Sequence, residues 1–231
     1  MRITPPVVDY RELRPQNITS EKFRHLLLLV WWPLFGILFS LTEKGLFADH
    51  YTPIYSPFDD IIPFNELFVI PYMFWFAYLV LMHLYTGFYD IDGFRRFMWF
   101  IIITYTTTIV IYWIFPNCQH LRPAVFERDN VLTRFMAAFY AYDTNTNVCP
   151  SIHVHGAVAV WAAGWNSPRL RSVWWKVGFT VTTVLISLST VFLKQHSVID
   201  VIAALPLCLI AYLICYRKQE LGFRVKKRSR A

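Results

Sequence analysis

Charge is what this chain has least of. Asp, Glu, Lys and Arg make up 16% of its 231 residues, against about 25% in a typical soluble domain. That shortage comes with several apolar runs near the roughly 20 residues that a bilayer core of about 30 Å demands. Together they argue against a large soluble helical protein. No small-residue cleavage pattern follows the first apolar run, which a long polar stretch precedes, so that run is expected to be a retained span rather than a removed signal sequence. No internal repeat is evident. The histidine boxes at i, i+3 or i+4 that a membrane di-iron enzyme needs are missing. His153 and His155, two residues apart, would point to nearly opposite faces of a helix, where one metal ion would not take both.

What is abundant is apolar: 56% of the residues are hydrophobic and 18% aromatic. The runs read as six spans, at 26–41, 67–89, 97–115, 152–165, 173–192 and 197–215, the fourth short and rich in glycine and alanine. The expected fold class is all-α, a polytopic membrane protein with a six-transmembrane-helix bundle. The expected domains are an N-terminal segment at 1–25, the membrane domain at 26–216 and a basic tail at 217–231. If both termini share a side, that side holds 17 of the 22 Lys and Arg. Basic residues stay cytoplasmic, so both termini are expected inside a multi-pass cell membrane protein. The basic stretch 224–230 then reads as a topology signal or a contact to lipid headgroups rather than to nucleic acid. This topology leaves the two longest loops, 42–66 and 116–151, on the extracytoplasmic face, and long loops on one face point to a site there. Within them, 55–64 is expected to lie as a lid at the interface and 133–142 as a short interfacial helix.

Three clusters carry chemistry, and all fall near that outer face. His196 and Asp200 are four residues apart, on one face of a helix. A carboxylate there can hold the imidazole Nδ1–H and leave Nε2 free, the arrangement of an activated nucleophile. A structural His–Asp pair pinning two helices is the alternative at this spacing. Pro150 suits the first turn of a helix that Ser151 would cap. Such an N-terminus attracts anions, and His153 beside it could protonate a leaving oxygen. Arg122 offers a planar fork for phosphate oxygens, and Lys194 would add a second cation.

In order and spacing these residues resemble the type 2 phosphatidic acid phosphatase (lipid phosphate phosphatase) superfamily, whose blocks run K-x6-R-P, P-S-x-H and S-R-x5-H-x3-D. Arg122-Pro123 matches the end of the first block. Pro150-Ser151-x-His153 matches the second, and Ser189-x6-His196-x3-Asp200 most of the third. The resemblance spans residues 20–216. It implies that His196 attacks phosphorus and becomes a phosphohistidine, that Asp200 orients it, and that His153 is the general acid and then the base. It further implies that Arg122, Ser151 and the amides after it bind phosphate, that Ser189 adds a hydrogen bond, that no metal or cofactor is needed, and that the partner is a membrane lipid substrate. The function so implied is hydrolysis of a phosphomonoester or diphosphate lipid.

Two departures stand out. Phe115 occupies the place of the family lysine, and Thr190 that of the third-block arginine. Lys194, Arg128 or His120 would have to compensate. Otherwise the substrate is a phosphodiester, which carries less charge, as in lipid phosphotransferases such as sphingomyelin synthase or inositol phosphorylceramide synthase. A non-catalytic transporter or scaffold on the same fold is the third reading. Cys118 and Cys149 flank the first two blocks, and a disulfide between them would tie Arg122 to the helix of His153. Cys208 and Cys215 fall in the last span and are expected to be packed.

Overall fold

The computed structural model describes residues 5–217. Arg2 and the rest of the basic tail read at 217–231, from residue 218 on, lie outside the described residues. The chain is mostly helical (69%). Among the described residues, five helical stretches are long and apolar enough to cross a membrane: Arg24–Glu43, Glu66–Tyr89, Ile91–Ile114, Val173–Phe192 and Val198–Arg217.

The first stretch begins as a 3-10 helix, Arg24–Val30, and becomes helix α1 at Trp31–Glu43. Pro33 explains the change. It has no N–H to give to the carbonyl four residues back, so the α-helical ladder cannot run through the junction. A short helix α2 (Pro57–Ile61) follows in the first long loop, capped by Ser56 and by Asp59, whose side chain returns to the Ser56 N–H. Helix α3 (Val69–Tyr89) and helix α4 (Ile91–Ile114) are separated by Asp90 alone, which ends one and caps the other through the Gly93 N–H at 2.9 Å. A Cβ at Gly93 would lie 2.4 Å from an Asp90 carboxylate oxygen. The loop expected before residue 97 is therefore the first turn of α4, hidden from a hydropathy reading by Asp92, Arg95 and Arg96.

Helix α5 (Val131–Tyr142) is the short helix expected near 133–142. Asn130 caps it, Thr133 and Met136 are buried, and Val131, Phe135 and Tyr142 face outward. Helix α6 (Ile152–Asn166) is only 15 residues long. At 1.5 Å per residue that is about 22 Å, short of a bilayer core. It is nevertheless the centre of the bundle, packed by α3, α4, α7 (Val173–Phe192) and α8 (Val198–Tyr212). Small side chains let its neighbours close in: a Cβ at Gly156 would lie 2.7 Å from both Trp75 Nε1 and Tyr105 Oη. Its two ends meet α3 at two levels. His153 lies against Tyr72 and Trp75, and Ser167, just past the helix, hydrogen-bonds Tyr85 at 2.7 Å. Between those levels α3 advances about 20 Å, so α6 covers the same depth.

A two-residue parallel pair, β1 (Thr52–Pro53) on β2 (Asn117–Cys118), joins the two long loops at the end of the bundle where α6 begins. Asn117 is fully buried there. Its Oδ1 accepts from the N–H groups of Val148 and Cys149 at 2.9 and 2.8 Å, and its Nδ2 donates to the carbonyls of Phe115 and Cys149, each at 2.9 Å. This corrects one expectation. All four cysteines are free, and the tie between the first and second blocks is the Asn117 carboxamide, not a Cys118–Cys149 disulfide.

Candidate functional site

His196 lies in the tight turn between α7 and α8. The backbone N–H groups of Gln195 and His196 both donate to Thr190 O, and Lys194 takes a positive φ of 52°. Ser197 then caps α8, with Asp200 closing the capping box. Asp200 is fully buried, and its Oδ2 accepts from His196 Nδ1 and from the Ser197 N–H, each at 3.0 Å. A carboxylate oxygen needs a donor, so Nδ1 carries a proton, and in the neutral imidazole Nε2 is the nitrogen with the lone pair. The His196–Asp200 contact expected from the i, i+4 spacing is thus formed within one turn.

His153 stands on the first turn of α6. Its ring lies against those of Tyr72 and Trp75, each centroid 4.5 Å away, and is 5.7 Å from the His196 ring at 68°. Both histidines line one cavity of about 60 Å³ with Glu43, Tyr72, Tyr112, Asp143, Asn147 and Gln195. A wider cleft of about 500 Å³ shares Glu43, Asp143, Thr144 and Thr146 with it, so the site opens outward on that side. Ser151 is buried and caps α6 through the Val154 N–H, and its own N–H donates to Asp200 O at 3.1 Å. That last contact joins the two histidine helices directly. No acceptor meets the Ile152 and His153 N–H groups among the described residues, which leaves two donors at the positive end of α6. His155 faces elsewhere, with Nδ1 3.2 Å from Thr108 Oγ1 on α4.

The expected phosphate-binding cations are placed differently. Arg122 gives its guanidinium to Tyr140 O, Asp143 O, Thr144 O, Gln195 Oε1 and, at 3.4 Å, Asp143 Oδ2. Burial pulls its pKa down from the usual arginine value, and Asp143 beside it works the other way. Asp143 is itself pushed up by burial, against the pull of Arg122 and then of His196. Arg122 is thus a brace between the end of α5 and Gln195, next to the histidine turn; it lines the outer cleft but not the inner cavity. Lys194 turns its Nζ to the carbonyls of Asp59 and Ile62 at 2.6 and 2.5 Å. Its pKa is lowered by burial, with Asp59 and Asp60 opposing. Ser189 is buried and donates to Ile186 O on its own helix at 2.6 Å.

The candidates for compensation are no nearer. Arg128 pairs with Glu66 at 3.2 Å, and His120 lies exposed beside Cys118. Phe115 ends α4, and the Thr190 hydroxyl donates to Ser187 O. Cys149 packs by Asp200, and burial, then the carboxylate, raises its thiol to about 12.

Several residues at the site have no signal in the motifs. Gln195 links Arg122 to Asp143, its Nε2 donating to Asp143 Oδ2 at 3.0 Å. Glu43 and Asp143 bring two carboxylates to the cavity wall. Asp59 was readable only as half of a Ser-x-x-Asp capping box, which gives no hint of what it meets across the loop. Compared with known proteins, the chain matches no family model, no curated protein and no solved structure.

Proposed function

We propose that this protein is a membrane-embedded enzyme that cleaves a phosphate ester of a lipid through a phosphohistidine at His196, with water as acceptor. The observation that carries the reading is the buried Asp200–His196 pair, whose free Nε2 shares a cavity with His153. In the proposed reaction the Nε2 lone pair forms the P–N bond as the P–O bond to the lipid breaks. His153, protonated, gives its proton to the departing oxygen. It then takes a proton from water, whose oxygen forms the new P–O bond as P–N breaks. Asp200 keeps the Nδ1 proton and offsets the imidazolium-like charge of the intermediate. The donors left at the start of α6 suit the phosphate oxygens.

The reading includes the membrane placement. Helix α6 is proposed as a sixth span, since it covers the same depth as α3 between His153 and Ser167 and is shielded by four helices, so a full bilayer length of its own is not needed. With six spans both termini share a side, and the basic residues put that side in the cytoplasm. The site is then extracytoplasmic.

One observation favours a second reading, transfer of a phosphodiester headgroup to an alcohol. The inner cavity wall has the carboxylates Glu43 and Asp143 and no Lys or Arg among the described residues; Arg122, paired with Asp143 at 3.4 Å, and Lys44 line only the outer cleft, and Lys194 is held by the carbonyls of Asp59 and Ile62. A nearly dianionic phosphomonoester would meet repulsion there, a monoanionic diester less. Purified protein with labelled phosphatidic acid, isoprenyl diphosphate and diester lipids, with and without an alcohol, separates the two. Free phosphate marks hydrolysis and a new labelled lipid marks transfer. His196→Ala should abolish either, and full activity in that variant would overturn the mechanism.

A further inference from the structure

The first long loop reaches across the bundle end to the nucleophile's turn. Asp59, on α2, is 1% exposed. Its Oδ1 accepts from the Val198 N–H at 2.8 Å, and its Oδ2 from the Ser197 hydroxyl at 2.6 Å and the Ser56 N–H at 2.8 Å. Val198 is the first residue of α8, and Ser197 lies between His196 and the helix. Two carboxylates therefore hold the same N-terminus. Asp200 takes the Ser197 N–H and His196 Nδ1, and Asp59 takes the Ser197 hydroxyl and the Val198 N–H. The Ile199 N–H goes to Ser197 Oγ at 3.2 Å. The protein itself thus takes the donors of this N-terminus, which holds no place for a substrate anion. Lys194, two residues before His196, completes the clamp from the other side through the carbonyls of Asp59 and Ile62. Asn65 N donates to Phe192 O at 3.1 Å, and Phe68 stacks on Phe192 at 4.3 Å.

We propose that Asp59 is a positioning residue for His196: with Lys194 it clamps the α7–α8 turn, so that the imidazole meets phosphorus at one fixed angle. Lys194 on this account serves the clamp and not the phosphate. The proposal rests on the phosphohistidine reading of His196. The chemistry of the clamp makes it selective for a carboxylate at 59, because three donors converge on it. An amide there would turn an N–H toward one of them.

The test is kinetic, on the full chain in detergent or vesicles, with the lipid that the wild-type protein turns over. Asp59→Asn should lower kcat by about 10- to 100-fold, the scale of a roughly 1 Å misplacement, and leave KM within about threefold. Lys194→Gln should do the same. The double variant should lose no more than the worse single one, since both break one clamp. Ser197→Thr keeps the hydroxyl and should retain most of the activity that Ser197→Ala loses. If Asp59→Asn does not fold, as judged by size-exclusion chromatography, the Ser197 pair decides. A rise in KM with kcat unchanged, additive losses for Asp59 and Lys194, or equal rates for Ser197→Ala and Ser197→Thr would each overturn the clamp. Failure of the underlying reading looks different: His196→Ala then retains activity, whatever Asp59→Asn does.

Discussion

At the scale of single residues, the legible contacts are those made within one turn. His196 with Asp200 and Ser151 with the start of α6 follow from spacing and capping preference, because each partner lies within four positions. Arg122 was read as a free fork because nothing nearby in sequence could hold it. Its acceptors come from Tyr140, Asp143, Thr144 and Gln195, 18 to 73 residues away, and only folding brings them together. The same holds for Lys194 and Asp59. Cys149 gives a residue-scale prediction. The thiolate is the reactive form. A thiol at about 12 rather than near 8.5 holds about a thousandth or less of the usual thiolate at pH 8.5. Native Cys149 should therefore react with iodoacetamide much more slowly than an exposed cysteine, and at the ordinary rate after denaturation. Quantitative native labelling within minutes, read by mass spectrometry, would contradict this environment. The same digest should contain no Cys118–Cys149 cross-link before reduction.

At the scale of elements, hydropathy located the long helices well and their ends less well. Helix α4 starts six residues before its apolar run, because Asp90 caps it and the charged residues Asp92, Arg95 and Arg96 fall within its first turns. Helix α6 was the weakest run in the sequence, and its Gly and Ala content is now explained: four helices pack on it, and Gly156 admits Trp75 and Tyr105. What fixes its start is Asn117, which meets four backbone groups of residues 115, 148 and 149. Asn117→Ala would leave those groups without partners in a buried place. At about 1–3 kcal/mol for each group that water cannot reach, a loss of about 3 kcal/mol or more follows. Thermal unfolding in detergent should show a clear drop for Asn117→Ala. Asn117→Asp should be no better than Ala, because it keeps the acceptors for Val148 and Cys149 but buries a charge and sets an oxygen against the Phe115 and Cys149 carbonyls. An unchanged midpoint in the Ala variant would mean that the loop is held by something else.

At the scale of the whole molecule, the number of spans decides which side the site faces, and parity makes this testable. The five helices that are long enough alone would put the two termini on opposite sides of the membrane. Adding α6 puts them on the same side. The proposed sixth span rests on packing: Ser167 and Arg169, just after α6, meet Tyr85 and Tyr89 at the far end of α3, with the Arg169 guanidinium 5.2 Å from the Tyr89 ring. A re-entrant α6 would have to return to the level of His153 before α7 begins, with only residues 167–172 between the two helices. In intact cells, cysteines introduced at Glu127 and Asp129 should therefore react with an impermeant maleimide. Those introduced at Asp92 and Arg171 should react only after the membrane is opened. Labelling at 171 from outside, together with protection at 92, would reduce the fold to five spans and place α6 as a re-entrant helix. Labelling at 92 and 171 with protection at 127 and 129 would keep six spans and turn the site toward the cytoplasm, against the distribution of basic residues. Only the first pattern gives an extracytoplasmic His196.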